Sequence, residues 1–147
     1  MKKLSFKGII IGGVVDVVST NIFSIPLLLY IASTSNFTGM SEVELQAAFM
    51  DVLTSDAMLY SIQILIGCLC SILGGYIGAR LAKHDELLNA SLTSFLCVGG
   101  SVYALITGVS DMAVWQQVMF IFVSPVLAMF GGYLRFRGQV KQGMQQV

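Results

Sequence analysis

Between Gly8 and Ile31 the chain carries a single charged side chain, Asp16, inside a run of apolar and small residues. A lone carboxyl in such a run can accept and release a proton, hold a cation, or tie helices together through hydrogen bonds. Around it Gly8, Gly12, Asp16, Thr20 and Ser24 recur at every fourth position, which on a helix draws one slowly winding stripe of small and polar groups. Counted from Lys7, Asp16 falls ~13 Å along a helix, close to the middle of a bilayer. A carboxylate at that depth costs about 2.5 to 3.5 kcal/mol, so it has to face other helices, accept hydrogen bonds or carry a proton. Ser19, Thr20 and Asn21 are its local partners, with Thr93 or Ser101 across a helix seam. The candidate proton or cation site is therefore Asp16 with Thr20 and Asn21.

Two further rows match the first: Gly67, Ser71, Gly75 and Ala79, then Asn89, Thr93, Cys97 and Ser101. Small residues at this spacing let helix backbones approach closely. Gly8, Gly12, Gly67, Ser71, Gly75, Ala79 and Gly132 are accordingly expected to pack helices. Gly74-Gly75-Tyr76 is echoed by Gly131-Gly132-Tyr133, each followed by an arginine, Arg80 or Arg137. The echo fits either a parallel repeat of two hairpins or the ordinary grammar of membrane helix ends. The cysteines Cys68, Cys70 and Cys97 read as small apolar packing residues. On a helix Cys68 and Cys70 point about 200° apart, against a shared metal site. The chain has no glycine-rich phosphate loop, serine nucleophile elbow or His-Glu-x-x-His motif. No enzyme, metal or cofactor is expected.

The elements that must position these residues follow from composition. The chain has 147 residues, 56% hydrophobic and 11% charged, far below the roughly 25% charged fraction of soluble domains. Four apolar spans, at about residues 8–31, 57–82, 87–107 and 113–134, are each long enough for a hydrocarbon core of ~30 Å. Pro26 interrupts the first near one end, where a kink is expected. Ser41-Glu42-Val43-Glu44 is a capping box, followed by Leu45, Ala48, Phe49, Val52 and Leu53 at helical spacing. A short amphipathic helix over 41–53 results. All eight basic residues (Lys2, Lys3, Lys7, Arg80, Lys83, Arg135, Arg137 and Lys141) fall on one side of these spans. Glu42, Glu44, Asp51, Asp56 and Asp111 fall on the other. Both termini are thus expected in the cytoplasm. The fold class is an all-α membrane protein, an antiparallel four-helix transmembrane bundle with the amphipathic helix in its first outer loop. The basic residues are too dispersed for a nucleic-acid surface and suit anionic lipid headgroups instead.

The stretch Gly74-Gly75-Tyr76-Ile77-Gly78-Ala79-Arg80-Leu81-Ala82-Lys83, followed by Leu87-Leu88-Asn89-Ala90, resembles the second-to-third helix junction of small uncharacterised four-span proteins of the bacterial inner membrane. The resemblance implies architecture and localisation rather than an activity. Asp16-Val17-Val18-Ser19-Thr20 is similar to the acidic stretch on the first helix of small multidrug resistance transporters, where a Glu binds protons and cationic drugs in turn. That similarity implies Asp16 as a coupling residue. The chain departs from those transporters in using Asp, in its long outer loop, in its single Trp115 on the fourth helix, and in its strong charge bias. The main functional expectation is a non-enzymatic inner-membrane component acting through helix association, as a homo-oligomer or with a membrane-protein partner. The alternative is a small proton- or cation-coupled transporter or channel using Asp16.

Overall fold

The computed structural model of the chain describes residues 4–82, 85–108 and 114–144, with side chains as far as 138. Lys2, Lys3, Lys83 and Asp111 lie outside the described residues, as does the side chain of Lys141. The elements are α1 (Phe6–Thr34), α2 (Glu42–Ser55), α3 (Ala57–Ala82), α4 (Glu86–Thr93), α5 (Phe95–Thr107) and α6 (Val114–Met144). Four helical spans, α1, α3, α4 with α5, and α6 as far as Gly138, are long and apolar enough to cross a membrane.

The boundaries differ from expectation for local reasons. α1 begins at Phe6 because Ser5 caps it, its hydroxyl accepting from the Gly8 amide at 3.3 Å. It continues through Pro26 to Thr34. α6 runs past Leu134 to Met144, since a drop in apolarity marks where a membrane ends and not where a helix must. The third span is not one helix. It breaks at Ser94 (φ −73°, ψ −4°), where two adjacent side-chain hydroxyls bond back to helix carbonyls. Thr93 Oγ1 donates to Ala90 O at 2.7 Å and Ser94 Oγ to Ser91 O at 2.7 Å, so the acceptors are satisfied without a continuous ladder.

The core is the reverse of a soluble one. Phe6, Leu29, Ile106 and Phe122 are all well exposed on the outer surface, while Ala79, Ala82, Ala90, Ala128 and Cys70 are buried. Large apolar side chains outside and small ones inside are what a bilayer solvent selects. Gly8 abuts Gly78 and Ala82, and Gly12 abuts Gly74, Gly78 and Thr93, which sets α1 antiparallel to α3. Gly132 lies against Ala90 and Glu86, which packs α6 on α4.

Packing is tight toward the Ser5 end and open toward the α2 end. Ala79, Asn89, Ala90, Thr93 and Ala128 are fully buried in the tight half, whereas Ile31, Leu53 and Gln117 are the buried side chains of the open half among the described residues. Asn89 seals the tight end. Its Oδ1 accepts from the Ser5 amide at 2.8 Å, and its Nδ2 donates to Asp85 O at 3.1 Å. Replacing Asn89 with alanine strands the Ser5 amide and should cost about 1 to 3 kcal/mol. Denaturant unfolding in detergent, followed by circular dichroism, checks this; an unchanged midpoint contradicts it.

At the open end, α2 starts on the capping box read from the sequence. Glu44 Oε2 accepts from the Ser41 amide at 2.9 Å and from its hydroxyl at 2.7 Å. These bonds, the backbone one foremost, hold the Glu44 carboxyl below the usual glutamate range. A depressed folded value means that the cap stabilises α2 at neutral pH and is lost as pH falls through that lowered value. Acidification should therefore speed amide exchange in the first turn of α2, after correction for intrinsic rates. Glu44→Ala should show the faster exchange already at neutral pH.

Candidate functional site

α1 and α3 approach closely because glycine faces glycine. A Cβ on Gly74 would lie 2.8 Å from Asp16 Cβ and 2.7 Å from Gly12 O, so Gly74 opens the space that admits the aspartate. Asp16 is 2% exposed. Its carboxyl accepts from Ser71 Oγ, at 3.0 Å to Oδ2 and 3.3 Å to Oδ1, and from Cys97 Sγ at 3.4 Å to Oδ2. Three helices thus meet on one carboxyl: α1 supplies it, and α3 and α5 each supply a donor.

The carboxyl lies at the inner end of a cavity of about 240 Å³, roomy enough for several waters. Ile64 of α3 and Phe120, Val123 and Leu127 of α6 form apolar walls. Thr20, Gln63 and Ser101 add neutral polar groups, and Leu53 of α2 with Tyr60 lies at the open end. No Lys, Arg or His is among the lining residues. Ser124 Oγ lines the cavity, buried and with no hydrogen-bond partner among the described residues. Farther along the same seam, Ser24 Oγ donates to Gln63 Oε1 at 3.2 Å, a second polar clasp between α1 and α3.

The expected site residues divide. Thr20 lines the cavity, but its hydroxyl donates to the main-chain carbonyl of Asp16 at 2.8 Å and not to the carboxyl. Asn21 is exposed and its Nδ2 donates to Val17 O at 2.8 Å; one position further round the helix, it points away from the site. Thr93 and Ser101 turn back to Ala90 O and Cys97 O, so neither bridges the seam. Ser71, expected as packing, is a carboxyl donor. Cys97, read as apolar filler, is the other. Its place was visible in the row Asn89, Thr93, Cys97, Ser101, and a thiol can donate a hydrogen bond to a carboxyl on the facing row.

The packing residues divide too. Gly8 and Gly12 pack on α3, and Gly132 packs on α4 with Ala79 near it. Gly75 packs on Ala128 of α6, and Gly78, outside the row, packs on Gly8 and Gly12 of α1. The row Gly67, Ser71, Gly75, Ala79 therefore spans two faces of α3. Gly67 packs against nothing within 4 Å of where a Cβ would stand, and lines the cavity instead. The glycine doublets are not equivalent: Gly74 faces α1, whereas Gly131 faces Ile72 and Tyr76 of α3.

The Asp16 carboxyl accepts from one hydroxyl and one thiol, and no cationic side chain lines its cavity; a carboxylate so placed is costly unless it is protonated or paired with a cation. Among the described residues no three of His, Cys, Asp and Glu are grouped to hold a metal ion. Compared with known protein families, curated proteins and solved structures, the chain matches no family model, no curated protein and no solved structure.

Proposed function

We propose that this protein is a small proton- or cation-coupled transporter or channel of the bacterial inner membrane, with Asp16 as the group that exchanges its proton or cation. Asp16 carries the reading: a buried carboxyl at the end of an otherwise uncharged cavity. Neutral hydroxyl and amide groups along the cavity can pass a proton or strip water from a small cation. Apart from Gly67, the glycines and alanine that supported a role in association pack within one copy of the chain, which favours the cation reading. A second copy or a membrane partner would have to meet other faces of the bundle. The one-sided basic residues support cytoplasmic termini; on that topology the cavity would open toward the outer face and the tight half of the bundle would seal the inner one.

Reconstitution into liposomes with an internal pH dye and an imposed membrane potential tests the proposal. The wild-type protein should collapse a pH gradient, and Asp16→Asn should reduce the flux to that of protein-free liposomes. Equal flux through both proteins would overturn it.

A further inference from the structure

The two halves of the third span are held very differently. In α4 and the break after it, Asn89, Ala90 and Thr93 are fully buried and Ser94 is 1% exposed. In α5, none of the residues from Phe95 to Thr107 is buried. Gly99 and Gly100 have nothing within 4 Å of where a Cβ would stand, and two adjacent glycines lower helix propensity further. α5 touches α1 through Leu96, whose Cδ1 would lie 3.0 Å from a Cβ on Gly13. Its hydroxyls at Ser101 and Thr107 turn back to its own carbonyls, Cys97 O and Tyr103 O. Cys97, in the first turn after the break, reaches across to Asp16 Oδ2.

We propose that α5 is a gate hinged at Ser94 and latched by the hydrogen bond from Cys97 to Asp16, and that a proton or cation taken up by Asp16 releases the latch. The proposal rests on the reading of Asp16 as an exchanging group. An anchored half-helix, a break in the hydrogen-bond ladder and a loosely packed half-helix in series are the parts of a hinge. The broken helix lies next to the carboxyl, as irregular backbone in a membrane does where it borders a cavity. A thiol is a weak donor, and an ionised acceptor strengthens the bond. Neutralising Asp16 with a proton, or engaging its oxygens with a cation, weakens the bond and frees α5. The other titratable groups lining the cavity are Cys68 and Tyr60, both on α3, and neither α2 nor α6 contributes one among the described residues. Site occupancy is thereby tied to the movement of one wall.

Amide hydrogen exchange in lipid nanodiscs, resolved by peptide into α3, α4 and α5, reads the latch. Cys97→Ala should speed exchange in α5 about two- to tenfold, the loss of one modest hydrogen bond, with α3 and α4 unchanged. Cys97→Ser, which keeps a donor, should stay near the wild type. Asp16→Asn should speed α5 in part, and the double variant Asp16→Asn/Cys97→Ala should be no faster than Cys97→Ala alone. Unchanged exchange in α5 of Cys97→Ala overturns the latch, and so does an equal rise in α3 and α4. If proton flux through the wild type depends on Asp16 while α5 ignores Cys97, the latch alone is wrong. If flux is indifferent to Asp16→Asn, the reading of Asp16 as an exchanging group falls whatever α5 does.

Discussion

Enlarging Gly75 to leucine is expected to prevent α3 and α6 from meeting, and with it the formation of the bundle. A Cβ at Gly75 would run into the backbone of Ala128, its carbonyl oxygen foremost, and Gly131 closes the same crossing from the other side against Ile72. Backbone cannot swing aside as the end of a flexible side chain can. The two helices must separate, and Ala79 and Ala128, both fully buried, lose their contacts. Overpacking of this kind costs about 3 kcal/mol or more, a large part of the stability of a chain this size. Loss of the monodisperse folded species in mild detergent, or a sharply lower unfolding midpoint, is the expected readout. A midpoint like that of the wild type would show that α3 and α6 do not cross where the structure places them.

The same substitution two helical turns earlier should have the opposite consequence. Gly67 has open space where a side chain would stand, and that space is the cavity. Gly67→Leu should leave stability within about 1 kcal/mol of the wild type or raise it, since leucine favours helix over glycine by nearly that amount. Its side chain would occupy the passage between Tyr60 at the open end and Asp16 at the inner end. Proton flux should fall to the level of Asp16→Asn although the fold is intact. Flux undiminished in a folded Gly67→Leu protein would mean that ions do not travel by this cavity. The two variants put the same bulk on the same helix, so their contrast separates packing from passage.

Much of this organisation was legible in the residues. Four apolar runs announce the spans, Ser41 and Glu44 announce the cap of α2, and the four-residue spacing about Asp16 announces the face that α1 turns inward. What was not legible depended on rotation and on polar competition. A row at every fourth position drifts around a helix, so Gly67, Ser71, Gly75 and Ala79 look alike in sequence yet face a cavity, a carboxyl, α6 and Gly132 in turn. Asn21 stood beside Thr20 in the sequence and lies outside the site because adjacent residues diverge by about 100°. The break at Ser94 coincides with two hydroxyls taking carbonyls within one turn, a feature that apolar periodicity does not register. Cys97 was hidden by its type, since a thiol in an apolar run looks like filler until a carboxyl is placed beside it.

The most direct test of the account is infrared spectroscopy of the carboxyl stretch of Asp16 in lipid bilayers, with Asp16→Asn assigning the band. If Asp16 exchanges protons through the cavity, its band should convert between the protonated and ionised forms as bulk pH is varied over the range in which the protein stays folded. The band should also shift promptly on transfer to heavy water. A band that holds one form throughout and resists isotope exchange would contradict the account and leave Asp16 as a buried tie between α1, α3 and α5.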